Sequence, residues 1–431
     1  MRIPRWRVAI APACALLLIA TGCSSNSGSG DATTGGSVNL TVATFNEFGY
    51  TDDLFAQFTK THPNVKITQK KVAQSADAKT NLFTKLAAGS GLSDIEAVDG
   101  DWLPQVKQSA DKFVNLSSDT TKDRWPDWVV SQATTTSGEL LGDATDIGPE
   151  ATCYRKDLFE KAGLPTDRDG VAQLLSGDWD HYFDVGKQFV SKVPGVGWYD
   201  SAGAVFNARV QQLANPFSST KPTETVIPLD QNTQIKDLYN STLTASVDNK
   251  LSAGLGQWSG DWQKAFQNGA FATMQCPAWM QPIIKTNASG VTSWDIANVF
   301  PGGAGNWGGS YLTVPKQGKH TKEAQELAEW LTSPDVQVQI FLSAGNFPAS
   351  KAGAADSKVL AATNEFFNNA PTGKIFSARA AAVTTQPFKG PNYFTINTVL
   401  GEAIGRVDVD KSANAADSWN KAVADAKAQV K

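Results

Sequence analysis

Four tryptophans of this chain stand beside turns instead of inside a regular apolar pattern. Trp102 follows Asp101 at the end of a strand-like run, Trp258 lies in the glycine-rich GLGQWSGDW, Trp279 in CPAWM and Trp307 in GNWGGS. Indole rings placed this way offer flat apolar faces with an N–H at the edge. Polar acceptors stand in comparable places: Asn46 and Glu47 follow VNLTVATF, and Asp101 follows DIEAVDG. An ionised carboxylate can accept two hydroxyls, and charge-assisted hydrogen bonds are the stronger kind. Gly308, Gly309 and Ser310 add backbone N–H groups with little side chain in the way. The chemistry open to such a set is capture of a polyhydroxylated ring, stacked on its C–H faces and held at its rim. Trp262 and Trp330 have apolar partners at helical spacing and are expected in the core, and Asp52 is read as a residue of a helix start.

Other chemistries find less support. His62, His181 and His320 are far apart, and the chain contains no H-E-x-x-H, C-x-x-C or G-x-S-x-G. The stretch GAGNWG (303–308) has the spacing of a dinucleotide fingerprint, but a strand-like GSYLTVP follows where a helix must start. No metal and no cofactor is expected. A net charge of −4 argues against a nucleic-acid partner, which would call for a basic face. A glycoside hydrolase would require two carboxylates about 5–10 Å apart. Glu47 and Asp101 keep that alternative open.

The elements that must position these residues follow from period and punctuation. VNLTVATF (38–45) reads as a strand. Leu54, Phe55 and Phe58 then recur at helical spacing, with Thr51 and Asp52 able to cap the start and His62-Pro63 at the end. VKIT (65–68) is a second strand, DAKTNLFTKLAAGSG a helix closed by Gly89, and DIEAVDG (94–100) a third strand. Alternating strands and helices imply a mainly parallel sheet wrapped by helices, whose ligands sit beyond the carboxyl ends of the strands. Asn46, Glu47 and Asp101 are at those ends. Helical stretches such as RKDLFEKAGL and DWQKAFQNGAFATM fill the middle. GGSYLTVPK (308–316) is a strand, a helix pair is jointed at Pro334, and the chain closes on an alanine-rich helix.

The N-terminus reads differently. Arg2, Arg5 and Arg7 precede an apolar run, Val8 to Ala20, that is too short to cross a bilayer. This is the pattern of a secretory signal. Ala20-Thr21-Gly22-Cys23 resembles a bacterial lipobox, which makes residues 1–22 a removable leader and Cys23 the lipidation point. Two acyl chains suffice for stable anchoring. Residues 23–37 then form the anchor and a polar, flexible tether. Nearly 400 residues remain, enough for two lobes.

Several segments together resemble the extracellular solute-binding proteins of bacterial ABC importers, in the maltose-binding-like, family 1 sugar-binding group. They are LFAQFTKTHPNVKIT, LAAGSGLSDIEAVDGDW, YRKDLFEKAGLP, FQNGAFATMQCPAWM, and WGGSYLTVPK with EAQELAEWLTSPDVQ, in that order along the chain. The resemblance implies an α/β, two-lobed periplasmic-binding-protein-like fold of type II, with the ligand cleft between lobes joined by hinge crossings. Crossings are expected near 147, 303 and 355. Lobe 1 would comprise 38–147 plus 304–354, and lobe 2 would comprise 148–303 plus 355–431. The resemblance places Asn46, Glu47 and Asp101 in the first-lobe half of the cleft and Asp146 at the crossing. Trp102, Trp258, Trp279, Trp307, Gly309 and Ser310 complete the expected site. The implied partners are a neutral sugar or oligosaccharide, the permease subunits of an ATP-driven importer, and the membrane through the lipid anchor. The protein is expected to act as a monomer. A polyamine or another non-sugar solute is the alternative ligand, and a polyamine too would want acids and aromatics.

Outside the leader and Cys23 only Cys153 and Cys276 remain, and an oxidising compartment favours their pairing. Intact-mass measurement checks this: reduction should add two hydrogen atoms, and an unchanged mass means two free thiols.

Overall fold

The computed structural model describes residues 36–220 and 225–430; the expected leader, Cys23 and nearly all of the tether lie outside the described residues. Thirteen strands are described, in two main sheets. In chain order they are β1 Val38–Phe45, β2 Val65–Val72, β3 Ile95–Asp99, β4 Asp143–Ala144, β5 Asp146–Ile147, β6 Glu150–Arg155 and β7 Gly197–Tyr199. There follow β8 Ser218–Ser219, β9 Thr225–Val226, β10 Phe271–Pro277, β11 Trp294–Ala297, β12 Ser310–Thr313 and β13 Phe347–Pro348.

The first sheet runs β2-β1-β3-β12-β4. Its first three strands are parallel, while β12 lies antiparallel to both β3 and β4. Alternation explains β1: Val38, Leu40 and Val42 are buried between more exposed neighbours. The helix Asp52–Thr61 starts where the Thr51 hydroxyl accepts from the Leu54 N–H, with Asp52 and Asp53 in its first turn, where a carboxylate is favoured. It buries Leu54, Phe55 and Phe58 and ends at His62, whose N–H donates to Phe58 O and whose ring stacks on Phe58 at 3.9 Å. Helix Ser75–Ala88 closes on Gly89 in the left-handed conformation. The second strand is longer than its apolar core of 65–68, because β2 pairs with β1 along its full length. The strand expected over 308–316 shortens to β12, since Gly308 and Gly309 take positive φ and turn the chain first. Pro334 opens the second member of the expected helix pair, Thr321–Leu331 and Pro334–Ala344.

The second sheet runs β11-β6-β10-β7 and is mixed. β6 is buried along its whole length, lies antiparallel to both neighbours, and carries Cys153, which is bonded to Cys276 of β10 across 123 residues. In the chain-entropy account a loop of that length stabilises by about 4–5 kcal/mol. One apolar cluster runs from the first sheet onto one face of the second and includes Val42, Leu103, Cys153 and Trp294. A separate aromatic cluster around Trp198 and Tyr182 covers part of the second sheet, and a third cluster joins helices Ala202–Val210, Thr233–Leu243, Tyr393–Asp408 and Ala415–Gln429.

The chain leaves the first sheet between β4 and β6 and returns between β11 and β12. These two passages run against each other. Glu150 N donates to Gly305 O and Trp307 N to Gly148 O, and β5 pairs with β13 beside them. The contact is close enough that a Cβ on Gly148 would stand 1.7 Å from the Trp307 carbonyl oxygen. Gly148→Ala must therefore move backbone. We expect a loss of at least about 1–3 kcal/mol, the usual scale of overpacking, read as a lowered Tm in thermal unfolding. A Tm equal to wild type would show that the passages separate freely.

Candidate functional site

The carboxyl ends of β1 and β3, the passages between the sheets and the loop at 254–259 meet around one cleft of about 280 Å³. Its wall includes Asn46, Glu47, Asp101, Asp146, Trp258, Trp279, Trp307, Gly309 and Ser310. Trp102 is not among them. It is fully buried, packs edge-on against Phe83, and donates its indole N–H to Ser75 Oγ at 2.9 Å. The residue after Asp101 turns inward to start the short helix Leu103–Lys107, so its ring enters the core. Trp102 therefore supports the cleft from beneath, because Ser75 itself lines it.

Each acceptor is fixed by its local structure. Asn46 takes φ +46, a conformation asparagine tolerates better than most residues, and turns the chain out of β1. Glu47 Oε1 then accepts from Gly49 N at 2.9 Å, and its Oε2 pairs with Lys71 Nζ at 2.6 Å. At the end of β3, Asp99 accepts from Asp101 N and from Ser75 Oγ. Asp101 pairs with Lys389 Nζ at 2.6 Å, both side chains being largely buried. Asp146 Oδ1 accepts from Thr145 Oγ1 at 2.7 Å and from Ser310 N at 3.1 Å. Burial pushes the Asp99 carboxyl up, and the neighbouring charge of Asp101 adds to that. Burial also raises Asp146, against the pull of the hydrogen bonds from Thr145, Ser310 and Asn346.

The aromatic wall comes from three separate segments. Trp279 lies on the short turn after β10 and donates its N–H to Trp307 O at 2.9 Å; the two rings meet edge to face at 5.1 Å. Trp258 lies nearly parallel to Trp279, with planes 15° apart and centroids 6.3 Å apart. All three rings are half-buried, so each keeps surface to offer. Trp262 is instead fully buried against Phe266, while Trp330 is half-buried like the cleft rings but lies against Phe58 and does not line the cleft.

Trp258 has φ +72, which an L-residue with a side chain adopts only at a cost. Its neighbours supply the compensation. Asp200 Oδ2 accepts from Gln257 Nε2 at 3.0 Å and from Trp262 Nε1 at 2.8 Å, and Ser259 caps the following helix by accepting from Trp262 N. A second chamber of about 460 Å³ continues past Trp258 and shares Asn46, Glu47, Gln74 and Ile283 with the first; Lys71, Gln263 and Asn287 line its far side.

Sequence reasoning missed Ser75, Asp99, Asn346 and Phe394, all of which line the cleft. Asp99 ends β3 and Ser75 opens the helix that follows β2, so the strand-end rule that selected Asp101 extends to them. Asn346 and Phe394 arrive from distant segments and carry no local signal.

Residues 43–338 match the family described as bacterial extracellular solute-binding protein. An arabinooligosaccharide-binding protein of Bacillus subtilis (strain 168) is 26% identical over 333 residues, 72% of each chain. Among solved structures, an extracellular solute-binding protein of family 1 is 45% identical, with a TM-score of 0.80 over 91% of this chain and 99% of that one. The ABC transporter associated binding protein of B. animalis subsp. lactis Bl-04, solved with beta-1,6-galactobiose, is 22% identical with a TM-score of 0.76 over 91% and 98%.

Burial pushes the Asp200 carboxyl up to about 6, from an ordinary value of 3.8. A folded-state value above the unfolded one means that the folded chain holds this proton more tightly, so stability from this source is full below about pH 4 and is lost as pH rises to about 6. The span corresponds to about 3 kcal/mol. Unfolding free energies measured from pH 4 to 7 should therefore fall less steeply in Asp200→Asn than in wild type, and parallel profiles would contradict the assignment.

Proposed function

The chain belongs to the bacterial extracellular solute-binding protein family, and from that premise we propose that it captures a neutral sugar of more than one ring and presents it to an ATP-driven importer. Its fold is the two-lobed type II arrangement of that family. We assign residues 38–147 with 304–354 to one lobe and 148–303 with 355–431 to the other, since the two sheets divide there and the passages of β5 and 305–309 join them. Anchoring through Cys23 belongs to the same proposal; no helix of the described residues is long and apolar enough to cross a membrane.

One observation carries the reading of the ligand: three half-buried indoles and four carboxylates face a single cleft in which the acids are already matched. Glu47 is paired with Lys71 and Asp101 with Lys389, while Asp146 is held by hydroxyl and backbone donors and Asp99 by Ser75 and a backbone N–H. Lysines already neutralise two of the four carboxylates, which leaves a polyamine fewer charges to match. An uncharged polyol needs acceptors of fixed direction and flat apolar faces, and finds both here. The matched lysines also suit acceptors better than the proton-donating acid of a hydrolase. The arabinooligosaccharide- and galactobiose-binding relatives are binding proteins, in keeping with capture without turnover. The two connected chambers bring the space into the range of about 300–1,000 Å³ usual for small-molecule sites, which favours an oligosaccharide over a single ring.

A thermal-shift panel of mono- and oligosaccharides, with spermidine as the contrasting ligand, tests this. A saccharide at 100 times its Kd should add about 2.7 kcal/mol to stability and emerge chemically unchanged. Trp279→Ala should then weaken that saccharide by about thirtyfold, the scale of a buried aromatic anchor, while Trp330→Ala lowers Tm and leaves affinity alone. A response to spermidine only, or release of shorter saccharides, would defeat the proposal.

A further inference from the structure

Lys389 reaches the cleft from an unexpected direction. It lies in the segment between helices Thr372–Ala382 and Tyr393–Asp408, far along the chain from the β3 end where Asp101 sits. That segment is held on the side of the four-stranded sheet. Phe388 N donates to Ala214 O at 2.8 Å, Gln211 Nε2 reaches the Tyr393 hydroxyl at 3.4 Å, and Tyr393 is buried with Phe206, Phe217 and Ile235. Asp99 and Asp101, by contrast, end a strand of the five-stranded sheet. The Lys389–Asp101 pair at 2.6 Å thus joins the two halves of the molecule. Its side chains are 2% and 11% exposed, which sets it apart from the other cleft pair, Lys71–Glu47, at 45% and 43% within one sheet.

We propose that Lys389 is a positioning residue of the binding site. Carried by one lobe, it fixes the Asp101 carboxylate of the other and draws the lobes together. Exposed ion pairs contribute little because water and side-chain entropy compete, whereas a pair withdrawn from water leaves an uncompensated buried charge when one member is removed. Separating the lobes would part Lys389 from Asp101 and leave two adjoining carboxylates, Asp99 and Asp101, without their nearest cation; closure restores it. The Lys389 ammonium also sits 5.6 Å from the Tyr393 ring centroid, so its own lobe orients it before it meets the acid. Two neighbours reinforce the same flank: Lys79 stands 4.0 Å over the Phe394 ring, and Gln105 Nε2 approaches Thr395 Oγ1 at 3.4 Å. The inference rests on the two-lobed architecture and does not depend on what the cleft binds.

The test therefore uses no ligand. Residues 23–431 carrying Cys23→Ser, Lys60→Cys and Lys192→Cys are labelled with nitroxides at the two introduced thiols, both on exposed helix positions of opposite lobes, with Cys153 and Cys276 kept bonded. Pulsed electron–electron resonance then reads the inter-lobe distance. Lys389→Met should shift the distribution to longer distances, Asp101→Asn should do the same, and the double variant should add nothing to either. Lys389→Arg should stay close to the parent. Circular dichroism checks folding. Should Lys389→Met unfold, the double variant, which leaves neither member of the pair without its partner, carries the comparison alone. Superimposable distributions for the parent and the folded variants would overturn the proposal. So would a shift in Lys389→Arg as large as in Lys389→Met, because it would point to side-chain packing instead of the ion pair.

Discussion

A carboxylate taken out of water must be met by a cation or by aimed donors, and the architecture of this cleft follows from that constraint. Four acids converge there, and each recruits its match from a different part of the chain. Lys71 comes from the neighbouring strand, Ser75 from the next helix, Ser310 from the returning passage and Lys389 from the C-terminal region. The acids hold the surrounding segments in register as much as those segments hold the acids. The result is a wall of oriented acceptors, two of them neutralised by lysines, beside indole faces.

The passages between the sheets obey a different rule, that of close backbone approach. Gly148 lies against the Trp307 carbonyl, Gly308 against the Trp279 indole, and Gly309 against the Asp146 carbonyl. Gly308 and Gly309 also take φ of +85 and +106. Side chains at these points would hold the strands apart and pull Trp307 and Ser310 away from the cleft. In the proposed site, Gly308 and Gly309, whose N–H groups would face a bound molecule, are thus among the glycines that let the chain cross.

Much of the first sheet was legible because its signals are local. β-branched and apolar residues marked β1, the Thr51 cap and the apolar triad of Leu54, Phe55 and Phe58 marked the first helix, and the strand-end rule led to Asn46, Glu47 and Asp101. Trp102 shows where that rule weakens: a residue at a strand end can turn either way, and here helix Leu103–Lys107 carries the ring inward. Lys389, Asn346 and Phe394 were illegible for another reason. Their roles depend on where distant segments dock, and nothing within a few residues of them encodes it. The second sheet was harder to read than the first, since β6, buried along its length and flanked antiparallel on both sides, shows no alternation.

At Trp258 the side chain is aimed by backbone instead of by rotamer. Its left-handed conformation sets the direction of Cα–Cβ, and the Asp200 brace lies behind the loop, clear of whatever rests on the ring. Exchanging tryptophan for a smaller aromatic would retain the aim and change only the reach. On the proposed reading of the cleft, this loop is accordingly a natural place to retune which guest the protein accepts, by laboratory design or by descent, with both sheets left untouched.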